Sequence, residues 1–295
     1  MSFRSGFITI IGRPNVGKST LLNAMLGEKI SIVSSKPQTT RNVIRGVKNL
    51  PDCQMVFIDT PGVHATRGLL NEYMMKEISG TLTDIDAAVF MVEATSEIQH
   101  DDREVIEKFL KRVSTPVILC INKVDKASKP GILPLIVQYS KLYPFKEVVP
   151  LSALTGDGVG VLLDILTKLM PEGPKYFPDD AVTDQPERFI AAEIVREKVF
   201  ELTKDEVPYS VAVVTENFRE DRKKKLITIH AVINCERDSQ KGIIIGKGGE
   251  MLKKIGTAAR LDIERLLGSR VFLQLFVRVE KDWTKNPKLL KEFGY

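Results

Sequence analysis

Cysteine is scarce in this 295-residue chain. Cys53, Cys120 and Cys235 are scattered, odd in number and without C-x-x-C spacing, which argues against a disulfide framework and against a zinc site. A reducing compartment is the expectation. Histidine is as thin: His100 lies near an expected helix start and His230 in a strand pattern, neither with partners in a catalytic arrangement, and His64 stands alone in a polar loop, where an exposed bystander is the ordinary reading. No run of 18 or more residues is apolar, and the opening Met1-Ser-Phe-Arg-Ser-Gly carries no apolar leader core. Neither a transmembrane helix nor a secretory signal is expected. A cytoplasmic protein is, with peripheral contact at the inner membrane left open. Signs of disorder are missing too, since 43% hydrophobic and 27% charged residues suit a folded chain long enough for two cores.

Charge is unevenly placed. Residues 1–180 hold 21 Lys and Arg against 20 Asp and Glu, whereas residues 222–291 hold 17 against 7, a net of +10 in a chain whose total is +5. A polyanion is the natural partner of that end, although a solvated basic face is the plainer alternative.

Alternating strand and helix patterns fill residues 6–170. Strands are expected at 7–11, 43–48, 54–58, 87–92, 117–121 and 147–150, and helices at 17–27, 71–82, 101–112, 131–142 and 159–169. The later strands are nearly continuous apolar runs, which fits a mostly parallel six-stranded α/β sheet covered on both faces, with ligands at the carboxyl ends of its strands.

The first of those ends carries Gly12-Arg13-Pro14-Asn15-Val16-Gly17-Lys18-Ser19, a match to the G-x-x-x-x-G-K-[ST] phosphate loop between a β-branched strand and a helix. The glycines let successive N–H groups turn inward on phosphate oxygens, and the helix N-terminus adds partial positive charge. Phosphate contacts are expected from Gly12 through Thr20, with Lys18 on the β and γ phosphates and the Ser19 hydroxyl on Mg²⁺. At the end of another apolar run stands Asp59-Thr60-Pro61-Gly62, where the carboxylate can hold Mg²⁺ through water and the Gly62 amide can approach a γ-phosphate. Between the two lies a polar loop, Ser34 to Arg41, that offers Thr39 and Thr40; Thr40 is preferred as the hydroxyl that joins the Mg²⁺ shell while a γ-phosphate is present.

Base selection is expected from Asn122-Lys123-Val124-Asp125. A carboxylate can accept from the N1–H and exocyclic NH₂ of guanine but finds no donor at N1 of adenine, so Asp125 discriminates the purines. Ser152, Ala153 and Leu154 follow a later strand and can support the base with backbone N–H groups.

These five motifs, in this order and spacing, resemble the signatures of translation-factor-type GTPases, and the resemblance implies GTP hydrolysis with Mg²⁺. One departure matters. Small regulatory GTPases carry a water-orienting glutamine where this chain has Val63, which cannot hydrogen-bond water, so a slow intrinsic rate is expected. Asn15 is the candidate to help hold K⁺ near the phosphates, as in relatives that share it.

Residues 171–186 contain four prolines and no apolar period, and read as a semi-rigid linker between a domain at 1–170 and a second at 187–295. The second begins with an amphipathic helix at 187–204, then pairs strands 210–215 and 226–233 through a charged connection at 219–225, and closes on a strand alternating from Val271 to Val279. At its centre Gly246-Lys247-Gly248-Gly249 precedes a helical stripe, with Lys253, Lys254 and Arg260 extending the basic surface. A G-x-x-G turn lets a nucleic-acid backbone approach where a Cβ would clash. The unit resembles an α+β KH domain of the α-β-β-α-α-β kind, which implies single-stranded RNA as ligand.

A GTPase domain followed by a KH domain resembles the Era family of bacterial GTPases over essentially the whole chain. Lys36-Pro37-Gln38-Thr39-Thr40-Arg41 and Val279-Glu-Lys-Asp-Trp283 share that likeness. The family implies binding to the single-stranded 3′ region of 16S ribosomal RNA and a role in assembly of the small (30S) subunit; a monomer is expected. The alternative is a GTP-dependent signalling or cell-cycle switch that uses the basic half on anionic lipid.

Overall fold

The computed structural model describes residues 2–63, 68–95, 97–221 and 223–295. It divides into two compact units: Met1–Ser31, Thr40–Thr66 and Tyr73–Asp184 form the first, and Ile32–Thr39, Arg67–Glu72 and Gln185–Tyr295 form the second.

The first unit is built on a six-stranded sheet in the order β2-β3-β1-β4-β5-β6. β1 (Arg4–Ile11) runs parallel to β3 (Cys53–Asp59) and to β4 (Ala87–Glu93), and β5 (Val117–Asn122) and β6 (Glu147–Pro150) continue the parallel set. Only β2 (Ile44–Leu50) is antiparallel, paired with β3 at one edge. Every residue of β3 and β5 is buried, which is why these strands read as unbroken apolar runs rather than alternating ones. The helices α1 (Lys18–Leu26), α2 (Leu69–Gly80), α3 (His100–Lys108), α4 (Lys129–Ser140) and α5 (Val159–Leu169) supply the crossovers. Because the strands are parallel, Ile11, Asp59, Asn122 and Pro150 all end at one side, and the loops that follow them share that side.

The proline-rich stretch after α5 lies along this same unit up to residue 184. Buried Gln54 of β3 accepts from the N–H groups of Tyr176 and Phe177 at 2.7 and 2.9 Å and donates to the Phe177 carbonyl at 2.8 Å. Further on, Val47 N–H donates to Val182 and Thr183 Oγ1 to the Arg45 carbonyl.

In the second unit, α6 (Glu187–Leu202), β7 (Ala212–Asp221), β8 (Leu226–Cys235), α7 (Asp238–Ile245), α8 (Glu250–Leu267) and β9 (Arg270–Val279) follow the α-β-β-α-α-β order. The sheet is β7-β8-β9, antiparallel then parallel, with β7 and β9 at its two edges. β7 is longer than the sequence pattern suggests. A bulge between Thr215 and Asn217 resets the register, so that Arg219, Glu220 and Asp221 still pair with Thr228, Ile227 and Leu226 across a short hairpin. Inward-facing Ile227, Ile229, Ala231 and Ile233 meet Ile255, Ala259 and Ile263 of α8 and Val195 and Val199 of α6 in one core. Trp283 caps the chain's end, with its indole N–H on the Ser210 carbonyl at 2.8 Å and its ring stacked 5.6 Å from Tyr295, before the short α9 (Pro287–Glu292).

The first helix of this unit corrects the amphipathic expectation. Residues Ile190 to Phe200 of α6 are all buried, including Glu193, Arg196, Glu197 and Lys198. Its polar side faces protein, and the charges are satisfied there: Arg196 forks onto Glu193 at 2.5 and 2.7 Å, and Lys198 meets Glu197, Glu201 and Asp262 at 2.9–3.1 Å.

Candidate nucleotide site and nucleic-acid groove

The turn from β1 into α1 is shaped by backbone that only small residues tolerate. Gly17 has φ 103°, and a Cβ there would stand 2.4 Å from Asn122 Nδ2; at Gly12 it would stand 2.4 Å from the Met91 carbonyl oxygen. Asn15 is the one other residue of the loop in the left-handed region, with φ 62°. α1 starts at Gly17 with no side-chain cap and no acidic residue in its first turn, so its leading N–H groups are presented to whatever anion sits in the loop.

Lys18 is buried and curls back, donating from Nζ to the carbonyls of Gly12 and Arg13 at 3.1 Å each. Burial pulls its pKa down to about 8, against the opposing pull of Asp59. Ser19 Oγ lies 2.8 Å from Thr40 Oγ1 and donates to Asp59 Oδ2 at 2.7 Å. Asp59 is fully buried, which raises its carboxyl pKa, while Lys18 and the hydroxyls of Ser19 and Ser31 hold it down. Its Oδ1 accepts no hydrogen bond among the described residues. Two hydroxyls converging on a buried carboxylate with one bare oxygen suit a hard divalent cation bound partly through water. Thr39 is turned elsewhere, its Oγ1 donating to the Lys36 carbonyl at 2.8 Å.

The second turn closes onto the first. Thr60 Oγ1 donates to the Ile10 carbonyl at 2.8 Å, Val63 N–H donates to the Gly12 carbonyl at 3.2 Å, and a Cβ on Gly62 would stand 2.7 Å from Pro14 Cα. Pro61 lies buried between them. Val63 itself is buried in the apolar core with Ile11 and Ile58. His64 lies outside the described residues. Arg13 turns away from the loop toward Glu93 and Asp102, each at 3.4 Å.

On the base side the residues divide by task. Asn122, 3% exposed, donates from Nδ2 to the Val16 carbonyl at 2.6 Å and accepts from Ala153 N–H at Oδ1, 2.9 Å away. Lys123 takes the left-handed conformation and pairs with Glu93 at 3.1 Å, and Asp125 stands exposed. Ser152 is fixed by its N–H to the Asp157 carbonyl at 2.9 Å, whereas the Leu154 side chain is 75% exposed. The arrangement gives an exposed carboxylate and a rigid N–H-bearing loop on one rim, bonded through Asn122 to the phosphate loop.

Sequence motifs did not mark the contacts of the loop ahead of Thr40. Val33 N–H donates to Glu197 Oε1 at 2.8 Å, Arg196 donates to the Thr39 carbonyl at 2.6 Å, and Lys36 Nζ caps the carbonyls of Phe200 and Thr203 at the end of α6. A cation at those carbonyls complements the helix dipole. The spacing of 33, 36 and 39 was visible in the sequence, but their partner helix is 160 residues away.

In the second unit the glycine turn joins α7 to α8. Gly246, Gly248 and Gly249 all have positive φ, and nothing lies within 4 Å of a Cβ on Gly248 or Gly249, so this backbone faces open space. Lys247 is exposed beside it. Behind the turn runs a groove of about 380 Å³, bordered by Gly249, Lys253, Gly256 and Arg260 and floored by Leu252, Leu273 and Leu275. Lys254, on the same helix, is exposed but does not line it. Gly256 is the residue that sequence reasoning missed: a glycine inside α8 that lines the groove, where an added Cβ would come to 3.4 Å from Leu275.

Comparison with known proteins identifies the family of each half of the chain. Residues 7–123 match the family model of 50S ribosome-binding GTPases, and residues 206–284 match that of the KH domain. The chain is 59% identical over 293 residues to GTPase Era of Geotalea daltonii, covering 99% of this chain and 98% of that one. It is 51% identical to GTPase Era of Ruminiclostridium cellulolyticum over 295 residues, 100% and 98% of the two chains. A crystal structure of Era in complex with MgGDPNP and nucleotides 1506–1542 of 16S ribosomal RNA superposes with a TM-score of 0.96 at 42% identity over 99% of both chains. A tyrosine-to-alanine variant of Aquifex aeolicus Era bound to GDP·AlF₄⁻ gives the same TM-score, identity and coverage.

Proposed function

The chain belongs to the Era family of GTPases, and on that premise we propose that it is a cytoplasmic GTPase that assists small-subunit assembly, binding the 3′ region of 16S ribosomal RNA in its KH groove under the control of bound nucleotide. It converts GTP and water to GDP and phosphate. One observation carries the control. Thr40 meets Ser19 in the phosphate site, while the eight residues before it, Ile32–Thr39, are clustered with the unit that holds the RNA groove.

In this reading the main-chain amides from Gly12 to Thr20 take the phosphates, Lys18 gives up its carbonyl partners for phosphate oxygens, and Asp125 reads guanine with support from Ser152 to Leu154. Ser19 and Thr40 hold Mg²⁺ directly and Asp59 through water; the ion neutralises charge on the β and γ oxygens. Gly62 N–H senses the γ-phosphate. Val63, buried and without a polar side chain, leaves water orientation to another group, and intrinsic turnover is slow. Asn15 would help hold K⁺ near the phosphates, and hydrolysis is then expected to be faster in KCl than in NaCl. On the RNA side, Gly246 to Gly249 clamp the backbone, and Lys253, Lys254 and Arg260 add charge to phosphates.

Linkage requires that whatever nucleotide does to RNA affinity, RNA does to nucleotide affinity. The test is to measure affinity for a 16S 3′-end oligonucleotide with a GTP analogue, with GDP and without nucleotide, beside single-turnover hydrolysis of GTP and ATP. Preference for GTP and a nucleotide-dependent RNA affinity are expected, and Lys18→Ala removes tight nucleotide binding. Equal RNA affinities in all three states would dispose of the coupling, and equal turnover of GTP and ATP would dispose of the guanine site.

A further inference from the structure

Ser31 belongs to none of the motifs, yet it is fully buried and its hydroxyl donates to Asp59 Oδ2 at 2.9 Å. That is the same oxygen that accepts from Ser19 Oγ at 2.7 Å. Asp59 Oδ1 is buried and accepts no hydrogen bond from the described residues. A carboxylate turns about its last torsion with little preference, so its two oxygens are distinguished only by what holds them. Here both donors grip one oxygen and the other is left bare.

The grip is itself anchored. Asn23, on α1 four residues after Ser19, accepts at Oδ1 from the N–H groups of Ile30 and Ser31 at 3.1 and 3.0 Å and donates from Nδ2 to the Ser31 carbonyl at 2.7 Å. A single side chain thus ties down both sides of the Ser31 peptide. The helix that presents the Ser19 hydroxyl also fixes where the Ser31 hydroxyl stands, and the two donors keep their spacing as one rigid piece.

We propose that Ser31, held by Asn23, is a positioning residue for the divalent cation: it fixes the Asp59 carboxylate so that Oδ1 stays free for the water shell of Mg²⁺. This rests on the assignment of Mg²⁺ to Ser19, Thr40 and Asp59 made above. Without the Ser31 hydroxyl the carboxylate keeps one donor instead of two and can rotate its bare oxygen away.

The experiment is release of a fluorescent GDP analogue from the full chain, in millimolar magnesium and in EDTA. In the unaltered protein magnesium is expected to slow release. Ser31→Ala is expected to lose about tenfold of that slowing, the worth of one hydrogen bond to a charged group, and to need more magnesium for half of the effect. Its rate in EDTA stays within about twofold of the original. Asn23→Asp keeps the acceptor for the two N–H groups but sets a charged oxygen against the Ser31 carbonyl in place of the donor, so it loosens the Ser31 hydroxyl indirectly, shows a loss of the same sign and serves if Ser31→Ala does not fold. If Ser31→Ala keeps the full magnesium effect, or releases nucleotide faster by the same factor in both buffers, Ser31 merely packs the loop and the inference is wrong. Should magnesium have no effect on the unaltered protein, the assignment of the ion to this site fails first.

Discussion

The guanidinium of Arg196 donates a 2.6 Å hydrogen bond to the carbonyl of Thr39, the residue next to Thr40. Both ends are buried, and the guanidinium is held in place by Glu193, so the contact is strong and rigid. With the Val33 and Lys36 contacts it fastens every third residue of the loop to α6.

Lys36 is the member of that set best removed without harm to the core, since burial already lowers its pKa and its loss uncovers helix-end carbonyls rather than an unpaired charge. Lys36→Met is expected to leave GDP affinity within about threefold and to shrink the difference in RNA affinity between the GTP-analogue and GDP forms by roughly half or more. Fluorescence anisotropy of labelled RNA at saturating nucleotide measures it, and an undiminished difference would show that the loop does not carry the signal.

At the base rim, Asp125→Asn replaces an acceptor by a donor-acceptor amide. Xanthine presents a carbonyl where guanine presents its amino group, so the variant is expected to bind XDP over GDP, with a loss for GDP on the order of 10²-fold or more. Competition binding against labelled GDP measures this, and unchanged selectivity would put the base elsewhere.

Gly248→Asp separates RNA from lipid. The glycine has φ 59° and open space around it, and aspartate tolerates that conformation better than most residues, so stability should fall by no more than ~1 kcal/mol. A carboxylate at the turn repels the RNA backbone, and RNA affinity is expected to drop at least tenfold. Lipid binding, read by flotation with anionic liposomes, would survive the change; a variant that keeps RNA affinity would place the RNA outside the groove.

The thiols give a test of the interior. Burial pushes Cys235 up to about 11 and raises Cys53 and Cys120 as well. A raised thiol pKa contributes stability in full below the ordinary value near 9 and loses it as pH climbs toward 11. At pH 8 the folded protein should therefore take up almost no thiol reagent, unfolded protein three equivalents, and the urea midpoint should fall between pH 9 and 11.

Where sequence was enough, local chemistry decided the outcome. The strands at 54–58 and 117–121 were legible because burial on both faces demands unbroken apolar runs, and the phosphate loop because Gly17 needs its conformation whatever surrounds it. Three features needed the fold. Charged residues of α6 suggest a solvent face, yet their partners lie in residues 32–39 and in α8, far along the chain. The charges of Arg219 to Asp221 suggest a loop, yet a bulge lets them continue β7. Ser31 looks like any polar residue in a loop until the fold brings Asp59 to it.

Asn122 bonds the Val16 carbonyl with one end of its amide and Ala153 N–H with the other. Recognition of the purine ring and grip on the phosphates are therefore one mechanical assembly. An inhibitor wedged beneath the ring would slacken the cradle several ångströms away, and resistance mutations at either rim would be paid for at both.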